Sequence, residues 1–272
     1  MNGSIVDPAL VDRRSRSLRA IQEGDLPSRT MTIAGCEGRV EARILSKDLS
    51  GPATRLALIP EGWGSGVAGA FTADLELFVI RGELVVAGQR IGQYDYAAIT
   101  AGDVISGLRA RSDTLALVMT SAPIRYDTSA GGMLSRPLVG LGTAAPWSGV
   151  PELPGRYVRL LADGLLGPVW LAGARDWANE DGPWHLHEAA EEVFVLEGEF
   201  TVAERIPAAE GDGEEADFRE EVFLCGPGTY TFRMAGRPHA GPGSASSDLA
   251  IAFHRMHGPR SVEWSEAGPR RE

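Results

Sequence analysis

The sequence predicts an all-β protein made of two tandem β-domains, and three observations carry that expectation. Its 272 residues include 34 Gly and 17 Pro scattered among short β-branched and aromatic runs, the punctuation of strands joined by tight turns. The stretches ADLELFVIRGELVV and AAEEVFVLEGEFTV align without a gap when Gly82 is set on Gly198, which marks a duplication. Between the halves, residues 129–155 are rich in Gly and Pro and show neither helical nor alternating periodicity, as a linker does.

Strands are expected at 54–60, 75–88 and 114–120 in the first half, and at 167–174, 191–204, 229–234 and 249–255 in the second. A short helix is expected around VDRRSRSLRAIQ, residues 11–22. The resulting division is an N-terminal extension (1–30), a first barrel (31–126), a linker (127–155) and a second barrel (156–265). TAGDVI and CGPGTYTF each place a Gly, Gly102 and Gly228, before a further strand, and the two are set on one another.

Composition excludes several classes. No run approaches the roughly 18 to 20 apolar residues of a membrane-spanning helix, and no apolar stretch follows Arg13, Arg14, Arg16 and Arg19 to make a secretory signal, so a cytoplasmic protein is expected. A formal charge of −11 opposes binding to a phosphate backbone. Much of the negative charge lies in residues 203–221, which read as a solvated loop. Cys36 and Cys225 are too few for a disulfide framework.

All five histidines fall between 185 and 257. In WHLHEAAEEVFVLEG, His185 and His187 are two apart, and on a strand both rings project to one side. Glu191 follows a short turn, and His239 follows the strand expected at 229–234. Three imidazoles and one carboxylate form a mixed N and O set that suits a transition metal such as Fe(II), Mn(II), Co(II), Ni(II), Cu(II) or Zn(II) better than Ca(II) or Mg(II). His254 and His257 are expected at strand-end or surface positions, the alternative for one of them being a place behind the metal ligands or facing a substrate.

This half resembles the cupin superfamily, whose first motif is Gly, five residues, HxH, three or four residues, Glu, six residues, Gly. His185, His187, Glu191 and Gly198 match it; Gly228, Gly236 and His239 match the second motif. Asn179, Met234 and Gly243 depart from it at turn-shaping positions. The resemblance implies a metal held by His185, His187, Glu191 and His239, with Glu192 facing away, and implies that both domains are cupin barrels of the double-stranded β-helix or jelly-roll type. Over residues 150–255 the signature is similar to the ChrR-like cupins, which include anti-sigma-factor domains and carbon–carbon-cleaving dioxygenases.

The first half lacks the set. Aligned on Gly82, the counterparts of His185, His187 and Glu191 are Gly69, Phe71 and Leu75, and the Gly102–Gly228 alignment puts Asp113 at the place of His239. Glu76, opposite Glu192, is expected to be solvated. Trp170, Trp184, Phe194, Tyr230 and Phe232 are candidates to line a substrate pocket, with Arg233 or Arg255 to anchor an anion; ordinary wall packing is the alternative for each. The expected function is that of a metal enzyme acting on a small organic molecule, with Fe(II) and O2 in an oxidation or cleavage. A non-redox Zn(II) or Mn(II) lyase or isomerase and a non-enzymatic sensor are the alternatives, and a homodimer is the expected assembly.

Overall fold

The structure, a computed structural model, describes residues 18–48, 52–142, 144–151, 153–180, 183–207, 218–259 and 263–265. It contains strands, turns and one 3-10 turn at Glu23–Asp25, with no α-helix among the described residues. The chain divides into two compact units, one ending at Pro146 and one beginning at Trp147, with Leu160–Leu165 grouped with the first. Each is a jelly-roll barrel, so the protein is a tandem of two cupin-type barrels.

In the first unit the large antiparallel sheet runs Leu138–Gly140, Tyr96–Ile99, Leu75–Arg81, Thr114–Thr120, Ala53–Ile59, Val40–Lys47 and Arg29–Met31 in spatial order. A smaller sheet joins Gly64–Ser65, Leu108–Ala110, Leu84–Val86 and Gln89–Ile91. In the second unit the matching order is Thr229–Arg233, Glu191–Glu197, Ala250–Met256, Pro168–Ala174, Arg156–Asp163 and Ser148–Gly149. Its smaller sheet joins Ala178–Asn179, Ser244–Ser246, Phe200–Pro207 and Phe218–Cys225. Gly82 and Gly198 turn the equivalent hairpins at φ of +90° and +64°. An added Cβ would lie 2.5 Å from the Asp113 carbonyl oxygen at the first and 2.0 Å from that of Leu249 at the second, so both turns need glycine.

Three sequence expectations change. The segment expected as a linker supplies Leu138–Gly140 to the first large sheet and Ser148–Gly149 to the second; short edge strands carry too little pattern to be read from sequence. The helix expected over 11–22 is a strand at Leu18–Gln22, and residues 11–17 lie outside the described residues. The acidic stretch 203–221 forms the arms of a hairpin, with Ala203 opposite Val222 and Arg205 opposite Glu220; residues 208–217 lie outside the described residues.

The two barrels align by register more exactly than their glycines suggest. Tyr96 pairs with Phe78, and Tyr230 pairs with Phe194. Tyr96 is therefore the counterpart of Tyr230, Gly102 that of Gly236, and Ile105, not Asp113, that of His239. The pairing of Ile105 with Gly69 repeats that of His239 with His185. The Gly102–Gly228 alignment failed because the longer hairpin of the second barrel displaces everything after Gly198. Glu76 is buried, not solvated, and accepts a hydrogen bond from the Tyr96 hydroxyl, as Glu192 does from Tyr230 at 2.8 Å.

Register also shows how the two interiors differ. Phe71, Leu75, Ile99, Ile105 and Val118 of the first barrel stand where the second has His187, Glu191, Arg233, His239 and His254. All five are buried members of one apolar core or pack directly in it. Burying each large side chain contributes about 1.5 to 3 kcal/mol, so the first barrel is a solid core where the second is polar and hollow.

Candidate metal centre

His185 lies on the strand Trp184–Leu186 and His187 just beyond it. His239 is bridged to the same strand: the His185 amide donates to the His239 carbonyl at 3.1 Å and the His239 amide to the His185 carbonyl at 2.9 Å. Two short backbone hydrogen bonds therefore bring together residues 54 positions apart, read from the residue numbers. The ring centroids are 4.1 Å apart for His185 and His239, 5.4 Å for His185 and His187, and 5.2 Å for His187 and His239. One ring nitrogen from each lies within 4.8 Å of the others. Three imidazoles at this spacing can hold a metal ion, since ligand bonds of about 2.0 to 2.1 Å require only a small closure.

Glu191 opens the strand Glu191–Glu197 and is 2 % exposed. Its Oε1 lies 3.8 Å from His187 Nε2 and its Oε2 3.5 Å from His239 Nε2. The carboxylate is already tied elsewhere: Arg233 donates to Oε2 at 2.9 Å, and His254 Nδ1 lies 2.7 Å from Oε1. Burial alone would raise the Glu191 pKa, but His254, His187 and the Arg233 guanidinium outweigh it and hold the carboxyl well below its usual value. It is an ionised acceptor inside the protein.

The electrostatics favour ligation. Burial pushes His185 down to about 3 and His239 well below its ordinary value, so both imidazoles are neutral at physiological pH and offer lone pairs. His239 Nδ1 lies 2.9 Å from the Arg237 carbonyl. It must carry the proton and donate, which leaves Nε2 unprotonated on the Glu191 side, the orientation seen in metal-binding histidines. The donor chemistry present therefore fits a divalent transition metal.

Beside these groups is a cavity of about 50 Å³, lined in part by His185, Glu191, Arg233, His239 and His254. Val193, Val195, Phe200, Val202 and Ala252 form its apolar wall. Of the seven pocket residues named from sequence, only Arg233 lines it. Phe194, Tyr230 and Phe232 point to the opposite face, because side chains alternate along a strand and Glu191, Val193, Thr231 and Arg233 occupy the inward positions. Trp184 is buried with its ring against Gly241 and under the Arg205 guanidinium. Arg255 does not face the cavity; it pairs with Glu192 at 2.9 Å.

Sequence reasoning missed two participants. His254 lies mid-strand, stacked 5.1 Å from Trp170 and bonded to Glu191, not at a strand end. Glu204, in the supposedly solvated stretch, is 2 % exposed and accepts from Arg233 Nε at 2.5 Å. Parity offered a signal for both: Phe200, Val202 and Glu204 share one face, as do Ala252 and His254. His257 contacts Glu192 at 2.6 Å on the outward face.

No family model matches the chain, and no curated protein does. Solved structures do resemble it. A candidate dioxygenase from Nostoc punctiforme superposes with a TM-score of 0.72 at 18% identity, over 94% of this chain and 88% of that one. The Lactobacillus farciminis oxalate decarboxylase, as a formate complex, gives 0.62 at 10% identity over 94% and 90%. A 7S globulin from Momordica charantia gives 0.59 at 14% identity over 90% and 86%. Likeness at these identities establishes the tandem cupin-type fold, a fold that carries all three descriptions. Function has to be argued from the site.

Proposed function

We propose that the second barrel binds one divalent transition metal through His185, His187, Glu191 and His239, and that the chain is a metal-dependent cupin enzyme acting on a small organic molecule. The observation that carries this is the convergence of three imidazoles and an ionised carboxylate at the wall of a buried cavity, where the first barrel has Gly69, Phe71, Leu75 and Ile105. Polar groups at such positions cost folding energy unless they are hydrogen-bonded, paired or bound to a ligand. Bound there, the ion supplies Lewis-acid chemistry and, as iron, redox chemistry. The protein's own groups hold the donors: Arg233 and His254 fix both oxygens of Glu191, and the Arg237 carbonyl sets the His239 tautomer.

Fe(II) with O2 in an oxidation or carbon–carbon cleavage is the reaction proposed, supported by the three-histidine, one-glutamate set and by the description of the Nostoc punctiforme relative in fold. Zn(II), Mn(II), Ni(II) and Co(II) are the competing ions. The test is metal analysis of protein purified without oxygen, followed by oxygen-electrode assays with small hydroxy acids, diketones and phenols. Turnover that proceeds equally without O2, or is restored best by Zn(II), would overturn the oxygenase in favour of a lyase or isomerase. The chain is further proposed to act as a homodimer, supported by the exposed Trp147, Tyr157 and Leu249 around one groove of the second unit. Light scattering should then give twice the 29.0 kDa of one chain.

A further inference from the structure

Among the described residues, the cavity wall carries a cation that no carboxylate contacts. Arg156, at the start of the strand Arg156–Asp163, lines it together with the imidazoles. Arg233 is engaged twice, by Glu191 and Glu204. Arg156 has no carboxylate at ion-pair distance among the described residues, and Glu191 and Arg233 act on it only through their longer-range fields. Its guanidinium instead lies 4.7 Å from the Trp177 ring centroid and 5.6 Å from that of Phe200. Aromatic rings hold a guanidinium by its plane and leave its N–H edge available for a carboxylate. Burial pulls the Arg156 pKa down to about 10, so it is charged at neutral pH.

Arg156 is half-buried in this wall, and an arginine sunk there for packing alone would be expected to carry a counter-ion. A second lining residue points the same way: the Thr231 hydroxyl is buried and has no hydrogen-bond partner among the described residues. Charge balance sharpens the case. Arg156 and Arg233 offset Glu191 and Glu204 one for one. Any divalent ion then leaves the cavity cationic. Size narrows the occupant, since a water needs about 10 to 15 Å³ of such space and the cavity has about 50 Å³. A molecule of about four or five heavy atoms fits.

We propose that Arg156 anchors the carboxylate of a small aliphatic acid in this cavity, with the Thr231 hydroxyl as a second contact. The proposal deepens the metal-centred reading in naming a substrate class, but the anchoring itself requires no metal.

Glycolate and glycolamide, matched in size and differing in charge, are the probes. Calorimetric titration of each into the metal-free and the Co(II)-loaded full-length protein is expected to show glycolate binding at least tenfold tighter than the amide. Arg156→Gln is expected to weaken glycolate at least tenfold with Co(II) stoichiometry and amide affinity unchanged, and Arg156→Lys to recover part of the loss. Thr231→Val, which preserves shape, provides a second variant and should weaken glycolate severalfold. Equal affinity for acid and amide, no binding of glycolate at millimolar concentration, or full glycolate affinity in Arg156→Gln overturns the proposal. Glycolate capture by a protein that takes up no Co(II) would support the anchor while sinking the metal reading.

Discussion

Replacing Arg233 with Met tests the electrostatic frame of the site. The guanidinium is 5 % exposed and bonds to Glu191 at 2.9 Å and to Glu204 at 2.5 Å. Met fills much of the same volume but leaves two buried carboxylates near one another without their shared cation. Removing one partner of a buried pair typically costs about 3 to 5 kcal/mol, and the loss is expected in that range for the metal-free protein at pH 8. Its pH dependence identifies the cause. Without Arg233, one of the causes that depress the Glu191 pKa is lost, and the folded-state value moves up toward the unfolded one. The stability that the depressed carboxyl lends wild type is present above the unfolded pKa and lost as pH falls through the folded one, so the deficit of the variant narrows in acid. Urea unfolding from pH 3 to pH 8 should show the gap between variant and wild type widest at pH 8. A deficit under about 1 kcal/mol at pH 8, or one that grows toward pH 3, would refute the reasoning.

Other substitutions and conditions follow from the same geometry. His187→Ala combined with His239→Ala should abolish stoichiometric metal uptake while circular dichroism stays that of a β-protein, since the first barrel folds with Phe71 and Ile105 at those positions; retained uptake would sink the ligand assignment. If wild type is held at about 100 times its metal Kd, the double variant loses about 2.7 kcal/mol of metal-linked stability, measurable as a drop in Tm. In metal-free wild type, His185 has a folded-state pKa of about 3 against an ordinary 6.5. Its contribution is therefore complete above about pH 6.5 and is lost as pH falls toward 3, at up to about 1.4 kcal/mol per pH unit. Acid titration of the His185→Asn variant should be flatter over that window, and an unchanged slope would count against a buried neutral imidazole. Gly241→Ala would place a Cβ 2.2 Å from the Trp184 ring. Overpacking against a rigid indole should cost about 1 to 3 kcal/mol and alter Trp fluorescence; a neutral outcome would mean the loop yields at that point.

The sequence carried the fold at the level of pattern. Strands such as Thr114–Thr120 and Ala53–Ile59 were legible because continuous β-branched and apolar runs between turn residues leave little choice. Val40–Lys47 and Arg156–Asp163 were not, since charged residues interrupt their apolar positions. The strand Phe218–Cys225 was hidden in the same way by the Arg and Glu residues of an acidic stretch. Its partner strand Phe200–Pro207 carries a buried carboxylate, Glu204, that composition alone assigned to solvent.

The sequence by itself determined the duplication and the concentration of histidines in one half, and it pointed to His185, His187, Glu191 and His239 as the candidate set, because motif spacing and strand parity are local properties. It also determined that the first barrel cannot chelate, since no arrangement makes ligands of Phe71 and Leu75. Only the tertiary structure decided which face of each strand turns inward. That choice removed Phe194, Tyr230 and Phe232 from the cavity and placed Arg156, Glu204 and His254 at or beside it. Glu191 meets His254 across 63 residues and Arg233 across 42. Such contacts depend on hairpin lengths and register between strands, and a shift of one residue exchanges inside for outside.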